Sequence, residues 1–328
     1  MKLHLHQELF EDAIRASSDF SRIAPVYIEK DYWICKILQQ LSRSQFTEST
    51  VFKGGTSLSK GYGLINRFSE DIDIAAITGD LTGNQVKTLI SNVCKDITQG
   101  LHEIDVPELT SKGSHFRKVI YKYPSTINIP MHQAVASRVI VEVNSFANPY
   151  PFEKRVIKSF ITEYLEGKGM QSFIEEHDMH PFTLNVLDKY RTLCEKVVSL
   201  LRFSCTKNPL DGIGGKIRHF YDIYFLLNDK GCMANLHDNF IHDINKLIEH
   251  DKKTFNFPEG WREVPINEMP LLNSYRELWN KLREVYTREL RALAYSPIPT
   301  SDEIYEKIMP FIMQLKNNCD VTRAIKKL

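Results

Sequence analysis

Apolar residues recur at helical spacing over the first forty positions and then switch period. Residues 7 to 43 predict two helices separated by RIAPVY. The second carries Ile28, Tyr32, Cys35, Ile37 and Leu38 on one side. A short apolar run, VFK, then leads into Gly54-Gly55. Residues 56 to 64 predict a helix, DIDIAAI a strand, and residues 84 to 101 another helix. FRKVIYKY and SRVIVEVNSF are rich in β-branched and aromatic residues and predict strands. From about residue 185 the pattern is helical again, beginning with NVLDKYRTLCEKVVSLLRF. It continues through IRHFYDIYFLL, FIHDINKLIEH, LNSYRELWNKLREVYTREL and DEIYEKIMPFIMQLK. The order predicts an α+β chain: a mixed β-sheet flanked by helices in the N-terminal half and a largely helical C-terminal half. We place the expected boundary between domains 1–170 and 171–328.

Composition narrows this picture without deciding it. The chain has 328 residues, a hydrophobic fraction of 42% and a net charge of +1. That suits a packed globular protein and neither demands nor excludes a nucleic-acid partner. No apolar run approaches the roughly 20 residues of a membrane span, and the start MKLHLHQELFEDA lacks an apolar signal core. The six cysteines show no C-x-x-C pair, which predicts free thiols and a cytoplasmic setting.

The stretch VFKGGTSLSKGYGLINRFSEDIDIAA, residues 51 to 76, concentrates the candidate chemistry. Glycine lets a backbone approach a ligand closely, so Gly54 and Gly55 can point successive amides at a phosphate. A helix beginning there adds positive dipole. Thr56, Ser57 and Lys60 offer hydroxyls and a cation. Asp71 and Asp73 lie two apart on a strand, so both face one side while Ile72 and Ile74 face the other. Such a pair repels itself unless a cation intervenes, and Mg²⁺ is well suited to two carboxylates plus substrate phosphates. Taken singly, each feature reads more readily as a common turn or a solvated strand edge; their order is what points to a site. Glu142, in the middle of a β-branched strand, is the candidate third carboxylate and metal ligand; its alternative is an ion pair with Arg138 on the same face. In the helical half, Lys189 and Lys196 lie two turns apart on one face, and the spacing does not choose between them. Asp222 is an acid within an apolar helix, four after Arg218.

These residues resemble the AbiEii/MenT family of bacterial nucleotidyltransferase toxins, within the DNA polymerase β-like nucleotidyltransferase superfamily. GGTSLSK followed by RFSEDID is similar to the first motif of that family. IEKDYWICKIL resembles the preceding helix, CEKVVSLLRF the later E-K-x-x-x-L helix, and IRHFYDIYFLL its R-H-x-Y-D segment. The resemblance implies that Gly54, Gly55, Thr56 and Ser57 form the phosphate-binding turn and that Asp71 and Asp73 bind metal. It selects Lys196 as the essential lysine and Asp222 as the late aspartate, and it places a third acid at Glu142. Lys60 and Arg67 match motif positions. It implies a Mg²⁺-dependent enzyme transferring a nucleoside monophosphate from a nucleoside triphosphate to an acceptor hydroxyl. Some relatives modify the tRNA 3′ end, so tRNA is the expected acceptor, with the Lys189–Lys216–Arg218 region as the candidate basic groove. A toxin–antitoxin or phage-abortive role, with an antitoxin encoded nearby, is the further implication. Two other functions stay open on the sequence alone: a binding protein that has lost turnover, and a nucleotidyltransferase acting on a small molecule.

Two stretches are set aside. LDGIGGKIRH, residues 210 to 219, lacks the spacing of a phosphate loop and is expected to be a Gly-rich loop entering the Asp222 helix. His177 and His180 lack a third ligand nearby and are expected on a surface loop.

Overall fold

The computed structural model describes residues 1–69, 71–107, 109–127, 137–234 and 240–325. It divides into two compact units, Met1–Asp188 and Lys189–Leu328.

The first unit begins with α1 (Gln7–Ser21) and α2 (Pro25–Arg43), and continues with β1 (Thr50–Lys53), α3 (Gly54–Lys60), β2 (Asp71–Ala76) and α4 (Gly83–Ile97). Next come β3 (His102–Ile104), β4 (Ser111–Lys112), β5 (Phe116–Lys122), β6 (Arg138–Asn144) and β7 (Phe152–Ile157). The helices α5 (Phe160–Gly167) and α6 (Gln171–Glu176) and the strand β8 (Phe182–Leu187) complete it. The strands form one sheet in the order β3-β5-β6-β2-β1-β8-β7, with β4 paired to β5. β2 runs parallel to β6, and β1 parallel to β8; the other pairings are antiparallel. The mixed sheet flanked by helices that the sequence predicts is thus present.

Helix α2 is the spine of this unit. Pro25 sits at its first turn, where the missing N–H costs nothing. Ile28, Trp33, Ile37 and Leu38 are buried, and so are the polar Glu29, Lys30 and Asp31. A helix buried on nearly every side packs on several partners at once, and α2 touches α1, α4, α5, β6 and β8. Its buried acids are hydrogen-bonded. Glu29 accepts from Ser125 Oγ at 2.6 Å and from the Thr126 amide at 2.7 Å. Asp31 accepts from the Phe160 amide, at the start of α5, at 2.7 Å.

Residues 185–187, expected to open a long helix, end β8. The reason is tertiary: the Asn185 side-chain amide donates to Thr47 O at 3.2 Å, and β8 pairs with both β1 and β7. Helix formation starts only at Lys189.

The second unit is helical. It comprises α7 (Lys189–Ser204), α8 (Pro209–Gly214), α9 (Arg218–Asn228), α10 (Lys230–Ala234), α11 (Phe240–Thr254), α12 (Pro270–Asn273), α13 (Tyr275–Leu293) and α14 (Ser301–Ile325). Helix α7 packs on α8, α9, α11 and α12, while α13 packs on α8, α9 and α14. Trp261, Trp279, Tyr221 and Tyr286 lie within its core, and the Phe220 and Trp279 rings meet at 4.9 Å between centroids. The segment 209–214 is a helix, not the expected loop, because Asn208 caps it by accepting from the Leu210 amide and Pro209 occupies its first position. His177, in the first unit, is likewise buried at the end of α6 against Phe173, with ring centroids 4.3 Å apart, and only His180 is exposed. No helix among the described residues is long and apolar enough to cross a membrane.

Candidate active site

Strand β2 alternates as its sequence requires. Ile72 and Ile74 are fully buried, while Asp71 and Asp73 are half-buried on the other face. The register fixes their neighbours. Lys53 of β1 lies opposite Asp73, Asp73 lies beside Glu142 of β6, and Glu142 lies opposite Lys118 of β5. Residues in register share a face, so Lys53, Asp73, Glu142 and Lys118 form one row across four strands. Asp71 stands on the same face two residues away.

Lys118 is the residue that the sequence reading missed. Its ammonium lies 2.6 Å from Glu142 Oε1. Burial disfavours its charge, but the bond to Glu142 and the charges of Glu142, Asp71 and Asp73 prevail and hold it above the usual lysine range. A lysine beside the acids is visible only once β5 is placed next to β6. Glu142 therefore pairs with Lys118 across the strands, whereas the sequence offered Arg138. Among the described residues no three of His, Cys, Asp and Glu stand together as a group that could hold a metal ion. Glu142 is paired with Lys118, and Asp71 and Asp73 share the face beside it.

The diglycine turn abuts this row. Gly54 has φ +80°, a conformation other residues adopt only with strain. A Cβ there would collide with Asp73 Oδ2 and stand 2.9 Å from Asp73 Cγ. A Cβ on Gly55 would lie 2.6 Å from an Arg67 guanidinium nitrogen. The turn thus brings backbone against a carboxylate on one side and a buried guanidinium on the other. The two hydroxyls that follow are occupied: Thr56 Oγ1 donates to Asp71 O at 2.6 Å, and Ser57 Oγ donates to Gly54 O at 2.9 Å. They tie α3 to β2 and close the turn.

Lys60, expected beside the phosphates, is held elsewhere. Its ammonium lies 2.7 Å from Asp31 and 4.1 Å from the centre of the Phe160 ring, almost wholly buried. Burial opposes its charge, yet Asp31 overrides it and raises Lys60 above the ordinary lysine value. The pair anchors the end of α3 to α2 and α5.

In the helical unit, Lys196 on α7 and Asp222 on α9 form an ion pair of 2.7 Å; the Asp222 side chain is fully buried and that of Lys196 only 7% exposed. Burying two charges is costly unless they are paired, and this pairing explains an aspartate amid FYDIYFLL. Lys189, the alternative by spacing, is bound to Asp229 at 2.5 Å.

Comparison with known proteins adds the family. The model of the nucleotidyl transferase AbiEii toxin family, type IV toxin–antitoxin system, matches residues 36–307. The chain belongs to this family. It is accordingly a nucleotidyltransferase of the toxin type. No curated protein matches the sequence. The fold of this AbiEii-family chain is similar to that of MenT4, a nucleotidyltransferase toxin from Mycobacterium tuberculosis H37Rv. The TM-score is 0.55 at 15% identity, over 92% of this chain and 89% of that one. At that identity the likeness concerns the fold.

Proposed function

We propose that the protein transfers a nucleoside monophosphate from a nucleoside triphosphate to an acceptor hydroxyl, using Mg²⁺ held by Asp71 and Asp73. The observation that carries this reading is the contact between the Gly54 backbone and the Asp73 carboxylate. It sets the diglycine turn directly beside two same-face acids. That donor set fits a hard, oxygen-seeking ion.

The roles follow from the residues. Backbone amides of Gly54, Gly55, Thr56 and Ser57 orient the triphosphate, and the Arg67 guanidinium behind Gly55 adds positive charge. Glu142, held by Lys118 at 2.6 Å, would accept the acceptor's proton. We also propose Lys196, paired with Asp222, as a residue essential to the transfer. When bound, Mg²⁺ offsets charge on the triphosphate and on the attacking oxygen. The acceptor oxygen bonds to the α-phosphorus, the α–β bridging bond breaks, and pyrophosphate leaves with its electron pair. Lys60 has no part in this beyond fixing α3 through Asp31.

The tRNA 3′ end is our proposed acceptor, in a cytoplasmic setting, with growth arrest or phage abortion as the outcome and a cognate antitoxin as partner. The test is incubation of purified protein with each of four α-labelled triphosphates, Mg²⁺ and total tRNA. Label on tRNA supports the reading. Label on a small molecule instead would move the acceptor to the antibiotic class. Transfer to nothing by folded protein would favour a binding protein without turnover.

A further inference from the structure

Lys118 binds no phosphate in the roles assigned so far, yet its ammonium stands 2.6 Å from Glu142 Oε1, at the centre of the acidic face. The strand that carries it, β5, is separated from β2 and its aspartates by β6. Neighbouring strands lie about 4.8 Å apart, so β5 and β2 are about 10 Å apart. The long stem of a lysine carries a charge across much of that gap. The charges of Asp71 and Asp73 act on the ammonium together with that of Glu142. Its other neighbours are apolar. Phe116 and Ile120, two residues away on β5, share its face by the period of the strand. Ile120 lies opposite Ile140 of β6, and both are buried. The side chains of Lys118 and Glu142 are only 24% and 19% exposed, so the pair is partly withdrawn from water.

Enzymes that displace one phosphate oxygen by another often use two divalent ions about 3.5–4 Å apart, one for the attacking and one for the leaving oxygen. Two ions need a carboxylate set that reaches both. Among the described residues no three acidic, histidine or cysteine side chains stand together as such a set. Glu142, the acid that would complete it, meets an ammonium instead. Mg²⁺ binds carboxylate oxygen at about 2 Å, and cations crowded on one carboxylate repel strongly in a partly buried setting. An ammonium at Glu142 and a second ion at Glu142 therefore compete for one place. The ammonium belongs to the chain and is fixed by the register of β5 on β6.

We propose that Lys118 takes the place of a second metal ion: it is the standing cation at Glu142, and the chain works with a single divalent ion at Asp71 and Asp73. Its ammonium offsets the negative charge that grows on the acceptor oxygen as Glu142 takes the proton. The inference deepens the proposed function and rests on metal binding by Asp71 and Asp73.

The test titrates Mn²⁺ alone into the full chain and counts bound ions from the electron paramagnetic resonance signal of the free ion. The double variant Asp71→Asn, Asp73→Asn gives the blank for ions bound elsewhere. One ion above the blank is expected for wild type and for Lys118→Arg, which keeps the charge, and two for Lys118→Met. A lysine with a merely structural role would leave the count at one in every variant. Two ions in wild type overturn the proposal, whether or not the variants fold, and so does a count of one in folded Lys118→Met. Should Lys118→Met fail to fold, Lys118→Gln takes its place. No ion above the blank in wild type overturns the metal reading of Asp71 and Asp73 itself, so the two failures are distinct. Kinetics give a second readout. At limiting Mg²⁺, Lys118→Met should transfer nucleotide about a hundredfold more slowly than wild type. Its rate should then rise with a higher order in Mg²⁺ than that of wild type, and an equal order in the two proteins would overturn the proposal.

Discussion

Gly54 lies so close to Asp73 that a methyl group on its Cα would collide with the carboxylate oxygen Oδ2. Two residues distant in the chain are thereby in close approach, with no room for a side chain between them. Gly54→Ala adds both the collision and a left-handed strain of about 1–3 kcal/mol. We predict a fall in activity of about a hundredfold with a lower melting temperature. The comparison variant is Gly63→Ala, which also has positive φ but meets no atom within 4 Å. It should lose stability and keep activity. Transfer kinetics beside thermal denaturation distinguishes the two.

The Lys60–Asp31 pair gives a second prediction. Both side chains are almost wholly buried, so removing one leaves the other uncompensated, at a cost of about 3–5 kcal/mol. Asp31→Ala and Lys60→Met should each show that loss in denaturant titration, and the double Asp31→Leu, Lys60→Met should recover much of it. A Lys60 acting on phosphates would instead reduce turnover with stability unchanged.

These cases show what the sequence could and could not convey. The alternation of Asp71, Ile72, Asp73 and Ile74 was readable because a strand's period is local. So was the start of a helix at the glycines, since turn chemistry is local too. The row Lys53–Asp73–Glu142–Lys118 was not readable, because it depends on which strands neighbour which. Lys60 follows the diglycine turn on one short helix, which suggests a phosphate; its partner lies in α2, and nothing at short range announces Asp31. Residues 185–187 fell among helix signals because the pairing partners of their strand, β1 and β7, are distant in the chain.

Lys118 supports a third prediction. It is bonded to Glu142, and the charges of Asp71 and Asp73 act on it as well. Lys118→Met removes that positive charge from beside Glu142, Asp71 and Asp73. The variant should be less stable without divalent ions, and added Mg²⁺ should raise its melting temperature more than that of wild type. An equal response in both proteins would separate Lys118 from the metal site.

A fourth prediction concerns pH. His4 packs against Trp33, with its ring nitrogen 2.8 Å from Tyr32 Oη. Burial, helped by the Lys36 charge, pushes it down to about 4. The unfolded chain, with an ordinary histidine near 6.5, binds more protons than the folded one between those values. Stability should therefore fall as pH drops from about 6.5 to 4. His4→Phe should flatten that slope in melting curves taken across the interval, and an unchanged slope would assign it to other groups.

The central claim is that Asp71 and Asp73 carry metal-assisted nucleotidyl transfer. The direct measurement is initial rate of α-labelled nucleotide transfer to acceptor RNA, for wild type, Asp71→Asn and Asp73→Asn, with far-UV circular dichroism matched among the three. Loss of transfer by at least about a hundredfold in each variant, with fold preserved, is the predicted result. Transfer at the wild-type rate in either variant would contradict the account.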